Sequence, residues 1–204
     1  MNSQFSLDQM KELRILRQSM DLVKLADGTF RVRVDYPLKS DPFVTFHPRN
    51  AQIHAVKMNS IRLRNKLIKL GMFDCFTKQI TDAVADNHLE IVPKDDVMVG
   101  PTNFCSINYQ LKNSQSTPIR LTTNSSYPNK IGKSLNSESI TGPSYLGNGP
   151  QVLLNFRRHD FAYNSDISKF YRQILTTNTT NRLRRIFWYL KESDKELTCF
   201  QYIR

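Results

Sequence analysis

The first apolar residues of the chain recur at helical spacing. Ser6 and Gln9 lie three positions apart, in the order of a capping box, which predicts that a helix begins just after Ser6. We expect this helix to run to about Met20. Its predicted apolar face consists of Leu7, Met10, Leu13 and Leu16.

The spacing changes to strict alternation between residues 22 and 34. The pair Asp27-Gly28 is a typical hairpin turn, and the runs on either side of it alternate between apolar and polar residues. On the second run, Phe30, Val32 and Val34 share one face. The pattern therefore predicts a β-hairpin.

Prolines at positions 37, 42 and 48 then predict a loop, and helical spacing resumes at Asn50 and ends at Gly71. This second helix carries cations and no acid, a pattern typical of a solvated helix face or of a surface that follows a nucleic-acid backbone. The cations are Lys57, Arg62, Arg64, Lys66 and Lys69.

The rest of the pattern mixes helix and strand. A third helix is predicted with Phe73, Phe76, Ile80 and Val84 on one side, and a short strand over residues 89–92. Two extended segments between residues 103 and 126 flank a polar turn, and residues 185–190 and 197–203 form another predicted hairpin. The sequence therefore predicts an α+β fold, and we expect the last strand to be an uncovered sheet edge.

Composition narrows the class of partner. The 204 residues are 39% hydrophobic and 23% charged, which is ordinary for a globular protein. The formal net charge of +11 favours an acidic partner, of which nucleic acid is the commonest. The sequence shows no signal peptide and no apolar run long enough to cross a bilayer. We therefore expect an intracellular protein of the cytoplasm or nucleus, without a membrane partner.

The cysteines and histidines do not form a recognisable metal pattern. Cys75, Cys105 and Cys199 are far apart, and none belongs to a C-x-x-C pair. The four histidines lack the spacing of a zinc site. We interpret the cysteines as reduced thiols.

Two short segments resemble known site motifs. Gly132-Lys133-Ser134 matches the last three positions of a phosphate-binding P-loop, but the first glycine of that motif would fall at Tyr127. We therefore reject a P-loop here. Asp95-Asp96 resembles a paired catalytic acid. It lacks a preceding aromatic residue, and we interpret it as a solvated turn.

Asp166 follows a strand-like run that begins at Phe161 and precedes a segment rich in aromatic residues. A carboxylate at a strand end is a possible metal ligand. The alternative from these residues alone is that Asp166 or Ser165 caps a helix beginning near Ile167. Caps are much commoner than ligands.

Five segments, taken in order, resemble the reverse transcriptase of BEL/Pao-type LTR retroelements. The family carries an "LRVVFDAS" strand, a "G-x-SLND" loop, a "GP" turn, an "LLRFR" helix and an "ADIEKMYRQV" segment with the catalytic aspartate. The matching segments here are residues 117–126, 132–136, 141–143, 153–157 and 161–174. Asn124 and the pair Thr122-Thr123 depart from the family pattern.

The resemblance implies the fingers and the first part of the palm of a right-hand polymerase. A small helix-and-hairpin region would occupy residues 1–70, a fingers-like region 71–160, and the start of the palm 161–204. The family's second metal-binding motif, a "YxDD" hairpin, is expected after residue 204. The implied function is the N-terminal part of an RNA-directed DNA polymerase, inactive by itself. Its implied partners are an RNA or DNA template-primer and a deoxynucleoside triphosphate.

The resemblance also assigns roles to individual residues. Asp166 is the implied catalytic residue, and it would bind Mg²⁺ together with the carbonyl of Ile167. Arg120 and Lys112 would bind the triphosphate, and the ring of Tyr171 would exclude a ribose 2′-hydroxyl. The alternatives are an outward strand arginine for Arg120 and a core aromatic for Tyr171.

Two other functions remain open from the sequence. One is a retroelement remnant that binds nucleic acid without catalysis. The other is an unrelated basic RNA-binding protein. Both account for the net charge, and the order of the five segments counts against the unrelated RNA-binding protein alone.

Overall fold

The computed structural model describes residues 6–113, 118–143, 149–158, 160–161, 163, 165 and 170–204, with the backbone alone for Tyr171 and Arg172. The α-helices within these residues are α1 (Leu7–Gln18), α2 (Pro42–Thr45), α3 (Ile53–Lys69), α4 (Phe73–Ala85), α5 (Leu135–Glu138), α6 (Gly149–Phe156) and α7 (Asn178–Arg182). The strands are β1 (Met20–Lys24), β2 (Phe30–Val34), β3 (Leu89–Ile91), β4 (Ser106–Leu111), β5 (Ile119–Asn124), β6 (Leu175–Thr176), β7 (Arg185–Trp188) and β8 (Thr198–Tyr202). Short 3₁₀ helices lie at Pro48–Asn50, Lys94–Asp96 and Phe170–Gln173. The predicted α+β class is confirmed, whereas the polymerase arrangement stays a prediction.

The N-terminal helix and hairpin form as predicted. The side chains of Ser6 and Gln9 make a reciprocal capping box at the start of α1. Strands β1 and β2 pair antiparallel around the Asp27-Gly28 turn, and β2 continues in parallel to β6. The apolar faces of α1 and the hairpin are only partly covered. Leu13, Leu16 and Val34 are half-buried, whereas other apolar residues of these faces are exposed: Leu7, Met10, Leu22, Phe30 and Val32.

The proline-rich loop is more ordered than the sequence predicted. Pro42 begins α2 after the Asp41 cap, and Pro48 begins a 3₁₀ turn. Proline suits the first position of a helix because its missing N–H would have no helical partner there. The prolines therefore start short helices within the segment predicted to be a loop.

Helices α3 and α4 cover the central strands. The helix predicted from Asn50 begins at Ile53, and Gly71 ends it with a positive φ of 63°. Helix α3 packs on β4 and β7, and α4 packs on β5 and β3. Trp188 of β7 is fully buried against Phe73 and Phe76, and its indole N–H donates to Thr77 Oγ1 at 2.9 Å. None of the helices in the described ranges is long and apolar enough to cross a membrane.

The last strand is not a sheet edge, so that expectation is wrong. Strand β8 lies in the middle of a three-stranded sheet, between β3 and β7, and both pairings are antiparallel. Phe200 at its centre is fully buried. Pairing with β3, which comes from more than a hundred positions earlier, supplies the cover that the local sequence did not show.

A parallel bridge joins the β4–β5 hairpin to β7. The N–H of Cys105 donates to the carbonyl of Arg185 at 2.8 Å, beside the bridge between Phe104 and Arg185. On the outer edge of β5, the Gln79 amide donates to the Ile119 carbonyl at 3.0 Å and accepts from the Leu121 N–H at 2.9 Å. Gln79 thereby satisfies backbone groups that an open strand edge leaves unpaired.

The main hydrophobic cluster draws on all three predicted segments. It includes Leu67 from residues 1–70, Phe76 and Ile119 from residues 71–160, and Ile186 and Phe200 from residues 161–204. The three segments therefore share one hydrophobic cluster, and their division at residues 70 and 160 stays a prediction drawn from the family resemblance.

Asp96 belongs to a buried ion-pair network, and its interpretation as a solvated turn is wrong. Arg185 is completely buried, and its Nη2 donates to Asp96 Oδ2 at 2.9 Å. The other Asp96 oxygen accepts from Arg182 Nη2 at 2.8 Å. Arg185 also donates to Gln201 and to the carbonyls of Asp96 and Val97. Burial lowers the pKa of Arg185 from its usual value, so the nearby acid and carbonyls are needed to keep the cation stable.

Asp96→Ala should lower the free energy of unfolding by about 3 to 5 kcal/mol, because it leaves a buried guanidinium without its carboxylate. Chemical denaturation measures the change. The matched control is Asp95→Ala, since Asp95 is exposed on the same turn. Equal stability of the two variants would show that the ion pair does not hold this part of the fold.

Candidate nucleic-acid and nucleotide interface

The β4–β5 hairpin has one apolar and one polar face. Strict alternation places Ile107, Tyr109, Ile119 and Leu121 toward the helices, where Ile107 and Ile119 are almost completely buried. The opposite face is polar because period-two alternation sends every second side chain outward. It consists of Asn108, Gln110, Arg120 and Thr122 along the paired strands.

Arg120, a predicted triphosphate ligand, lies on this polar face directly opposite Gln110. Lys112, the other predicted ligand, directly follows the last residue of β4, and its N–H donates to the Pro118 carbonyl at 2.8 Å. Both residues are exposed, and neither forms an ion pair within the described residues. Strand alternation continued by one residue past Leu111 gives Lys112 the side of the hairpin on which Arg120 lies.

The predicted metal ligands, Asp166 and Ile167, lie outside the described residues. The backbone of Tyr171 belongs to the 3₁₀ helix Phe170–Gln173. Gln173 accepts a hydrogen bond from Arg31 of β2, so this segment reaches the N-terminal hairpin.

The basic helix α3 uses several of its cations in packing. Lys57 lies 5.0 Å from the ring centroid of Phe187, and Arg64 lies 4.4 Å from that of Tyr189. Lys66 lies 5.2 Å from the ring of Tyr109 on β4. Each contact stabilises the fold by roughly 0.5 to 1 kcal/mol at a partly exposed position. Arg62 and Lys69 are the exposed cations of α3 without such a ring among the described residues.

A second cation cluster, which the sequence did not indicate, lies on two loops that meet in space. We call it the four-cation patch: Lys39, Arg49, Lys130 and Lys133. The Lys130 ammonium donates to the Arg49 carbonyl at 3.0 Å, and its N–H donates to the Asn50 carbonyl at 2.8 Å. All four side chains are exposed. No local motif marks the patch, because its members come from positions about ninety residues apart.

Asn129 shapes the loop of the rejected P-loop segment. Its side-chain oxygen accepts from the N–H groups of Ile131 and Lys133 at 3.1 and 3.0 Å. Ser134 forms a capping box with Ser137 at the start of α5. A P-loop needs free backbone N–H groups for phosphate, and here they are already bonded. The geometry supports the rejection of the P-loop.

Glu138 is the buried acid beneath the four-cation patch. Its oxygens accept from Ser40 at 2.6 Å and pair with Lys133 at 2.9 Å. The Ser40 hydrogen bond, followed by the Lys133 contacts, holds the pKa of Glu138 below its usual 4.5. The carboxylate therefore stays ionised near neutral pH and fixes the two loops against each other.

The cysteines are free thiols in two environments. Cys75 is exposed, whereas burial raises the pKa of Cys105 to about 11 and that of Cys199 to about 12. Buried thiols of this kind are unreactive near neutral pH. Within the described residues no three histidine, cysteine or acidic side chains are grouped to hold a metal ion.

Comparisons with protein-family models, curated proteins and solved structures found no match for this chain. The family resemblance therefore rests on the sequence segments alone.

Glu138→Gln should lower the free energy of unfolding at neutral pH by about 1 to 3 kcal/mol, because it removes the charge from two hydrogen bonds. The folded pKa lies below the unfolded value, so the stabilisation is complete above about pH 4.5 and is lost as pH falls through the folded pKa. Urea titrations at several pH values measure this. The control is Glu192→Gln, an exposed acid. A difference between the two variants that does not shrink in acid would contradict the assignment.

Proposed function

We propose that this chain is the N-terminal part of a retroelement reverse transcriptase, an RNA-directed DNA polymerase. The observation that carries the proposal is the polar face of the β4–β5 hairpin, which presents Arg120 and Lys112 together. The resemblance assigns triphosphate binding to these two residues. The register supports this assignment because it places Arg120 on the polar face, and alternation continued past Leu111 gives the exposed Lys112 the same side.

The chemistry of the two side chains suits a triphosphate. The planar guanidinium of Arg120 donates two parallel hydrogen bonds to phosphate oxygens, and the ammonium of Lys112 acts as a point charge. Gln110, opposite Arg120, offers a further amide donor on the same surface. The buried side of the hairpin packs on α3 and α4, so the surface has rigid support.

The catalytic part of the proposal rests on the sequence. Asp166 and the carbonyl of Ile167 are proposed to hold Mg²⁺, which would favour attack of a primer 3′-oxygen on the incoming nucleotide. The acids that complete such a site would come from the family's paired-aspartate hairpin. Asp96 does not offer that pair, since both of its oxygens already accept from arginines. The proposed site of action is within the cell, in the cytoplasm or nucleus.

The second candidate is a nucleic-acid-binding remnant without catalysis. The observation in its favour is the net charge of +11 together with exposed cations on α3 and on the four-cation patch. These surfaces act on a phosphate backbone whether or not the chain performs chemistry.

Arg120→Gln should weaken binding of a deoxynucleoside triphosphate at least several-fold, because the bidentate contact is lost. Arg120→Lys should restore only part of it, since lysine keeps the charge without the fork. Binding is measured by titration of a fluorescent triphosphate with magnesium present. The control is Lys78→Gln, an exposed cation of α4. Equal affinities of the Arg120 and Lys78 variants would contradict the proposed role of the hairpin.

The 204-residue chain should not extend a primer on an RNA template with magnesium or manganese, because one aspartate does not hold a two-metal site. Primer extension by the purified chain measures this. Measurable incorporation would show that the acids completing the metal site lie within these residues, and it would contradict both the proposed incomplete site and the exclusion of Asp95-Asp96.

A further inference from the structure

We propose that the four-cation patch, and not the basic helix α3 alone, is a phosphate-backbone contact surface of this protein. The inference rests on the proposed function, because it names where the template-primer would lie. It concerns Lys39, Arg49, Lys130 and Lys133, none of which belongs to the triphosphate surface on the hairpin.

The patch is one connected structure. Asn129 donates to the Thr45 carbonyl at 2.9 Å, and Thr45 Oγ1 lies 2.6 Å from Ser40 Oγ. Ser40 donates to Glu138, which pairs with Lys133. Lys39 donates to the Ser137 carbonyl at 2.8 Å, next to Glu138. The three lysine ammonium groups are therefore fixed on a common, hydrogen-bonded base, and Arg49 joins it through its backbone carbonyl.

The lysine ammonium groups are held by hydrogen bonds, but not all of their donors are used. Among the described residues, each of the three ammonium groups has one bond: to the Ser137 carbonyl, to the Arg49 carbonyl or to the Glu138 carboxylate. An ammonium has three donors, so two remain on each for phosphate oxygens. Holding the side chains in place also reduces the entropy lost on binding.

The charge balance of the patch is positive. The acids of the two segments that carry it, residues 35–52 and 129–138, are Asp35, which accepts from Thr177 and Thr180, Asp41, which caps α2, and Glu138, which is almost completely buried. Four exposed cations therefore outnumber three acids, each of which already accepts a hydrogen bond. On α3, by contrast, Lys57, Arg64 and Lys66 are directed at aromatic rings. The four-cation patch is thus formed by tertiary structure, and its residues lie outside α3, which carries the longest basic run of the sequence.

A phosphate backbone is the partner that the charge of this surface favours. The segments that carry the four cations also expose the apolar side chains of Phe43, Val44 and Ile131. The choice of partner therefore rests on the excess of cations, and a competing acidic protein is an outcome of the test below. Closely spaced phosphates along one strand match clustered cations, and the resulting contact depends on salt.

The test compares two double variants of equal charge change. Arg49→Gln with Lys130→Gln removes two cations from the patch. Lys24→Gln with Lys78→Gln removes two exposed cations on β1 and α4 that form no ion pair in the described structure. Affinity for a primer-template duplex is measured over a series of salt concentrations by fluorescence anisotropy. The patch variant should lose affinity on every duplex sequence, and its log-log salt slope should fall by about 2, roughly 1 per contact removed.

Equal losses in the two double variants would overturn the proposal, because only net charge would matter. An unchanged slope in the patch variant would overturn it as well. The single variant Arg49→Gln controls for misfolding, because the Arg49 side chain makes no hydrogen bond with a described residue. This variant should lower the log-log salt slope by about 1. If polyglutamate competes as strongly as the duplex, the partner is an acidic protein and the nucleic-acid assignment is wrong.

The result is independent of the triphosphate test. The patch variant should leave triphosphate affinity unchanged, and Arg120→Gln should leave the duplex salt slope unchanged. If the Arg120 variants bind triphosphate normally while the patch variant loses duplex affinity, the polymerase proposal fails and the patch remains a nucleic-acid surface.

Discussion

The buried guanidinium of Arg185 joins the parts of this molecule. Its side chain binds Gln201 of β8 and Asp96 of the 3₁₀ turn before the hairpin, while its own carbonyl accepts from Cys105 at the start of that hairpin. A buried cation is costly unless its donors and its charge are satisfied. Because the partners come from separate parts of the chain, satisfying Arg185 requires that the strands and the turn adopt one mutual position. The hairpin that presents Arg120 and Lys112 is therefore positioned by an interaction in which neither takes part.

Cations serve two different purposes in this protein. On α3, long basic side chains cover aromatic rings of the sheet, so they add to the packing of the core as well as to surface charge. On the four-cation patch, backbone carbonyls and one carboxylate hold the ammonium groups at the surface. A count of charges along the sequence does not separate these purposes. The distinction matters for binding. A basic side chain of α3 has to give up its contact with an aromatic ring before all of its donors can bind phosphate.

The proposed polymerase function combines two kinds of support. The ordered sequence segments resemble the family, and from that resemblance come the proposed role of Asp166 and the need for further acids. The described structure supplies the polar hairpin face and shows that Asp96 is committed to Arg182 and Arg185. The remnant hypothesis shares the same cationic surfaces, and only the triphosphate surface separates the two readings within these residues.

Local physics explains what the sequence by itself determined. The capping box at Ser6, the Asp27-Gly28 turn, the helical spacing up to Gly71 and the alternation around Arg120 depend on neighbouring residues, and the corresponding elements formed as predicted. Long-range pairing decided the rest. Strand β8 became a central strand because β3 pairs with it, and Asp96 became a half-buried ion-pair partner because Arg182 and Arg185 converge on it. The four-cation patch exists only where the loops around Arg49 and Lys130 meet, since charge proximity in space leaves no periodic signal along the chain.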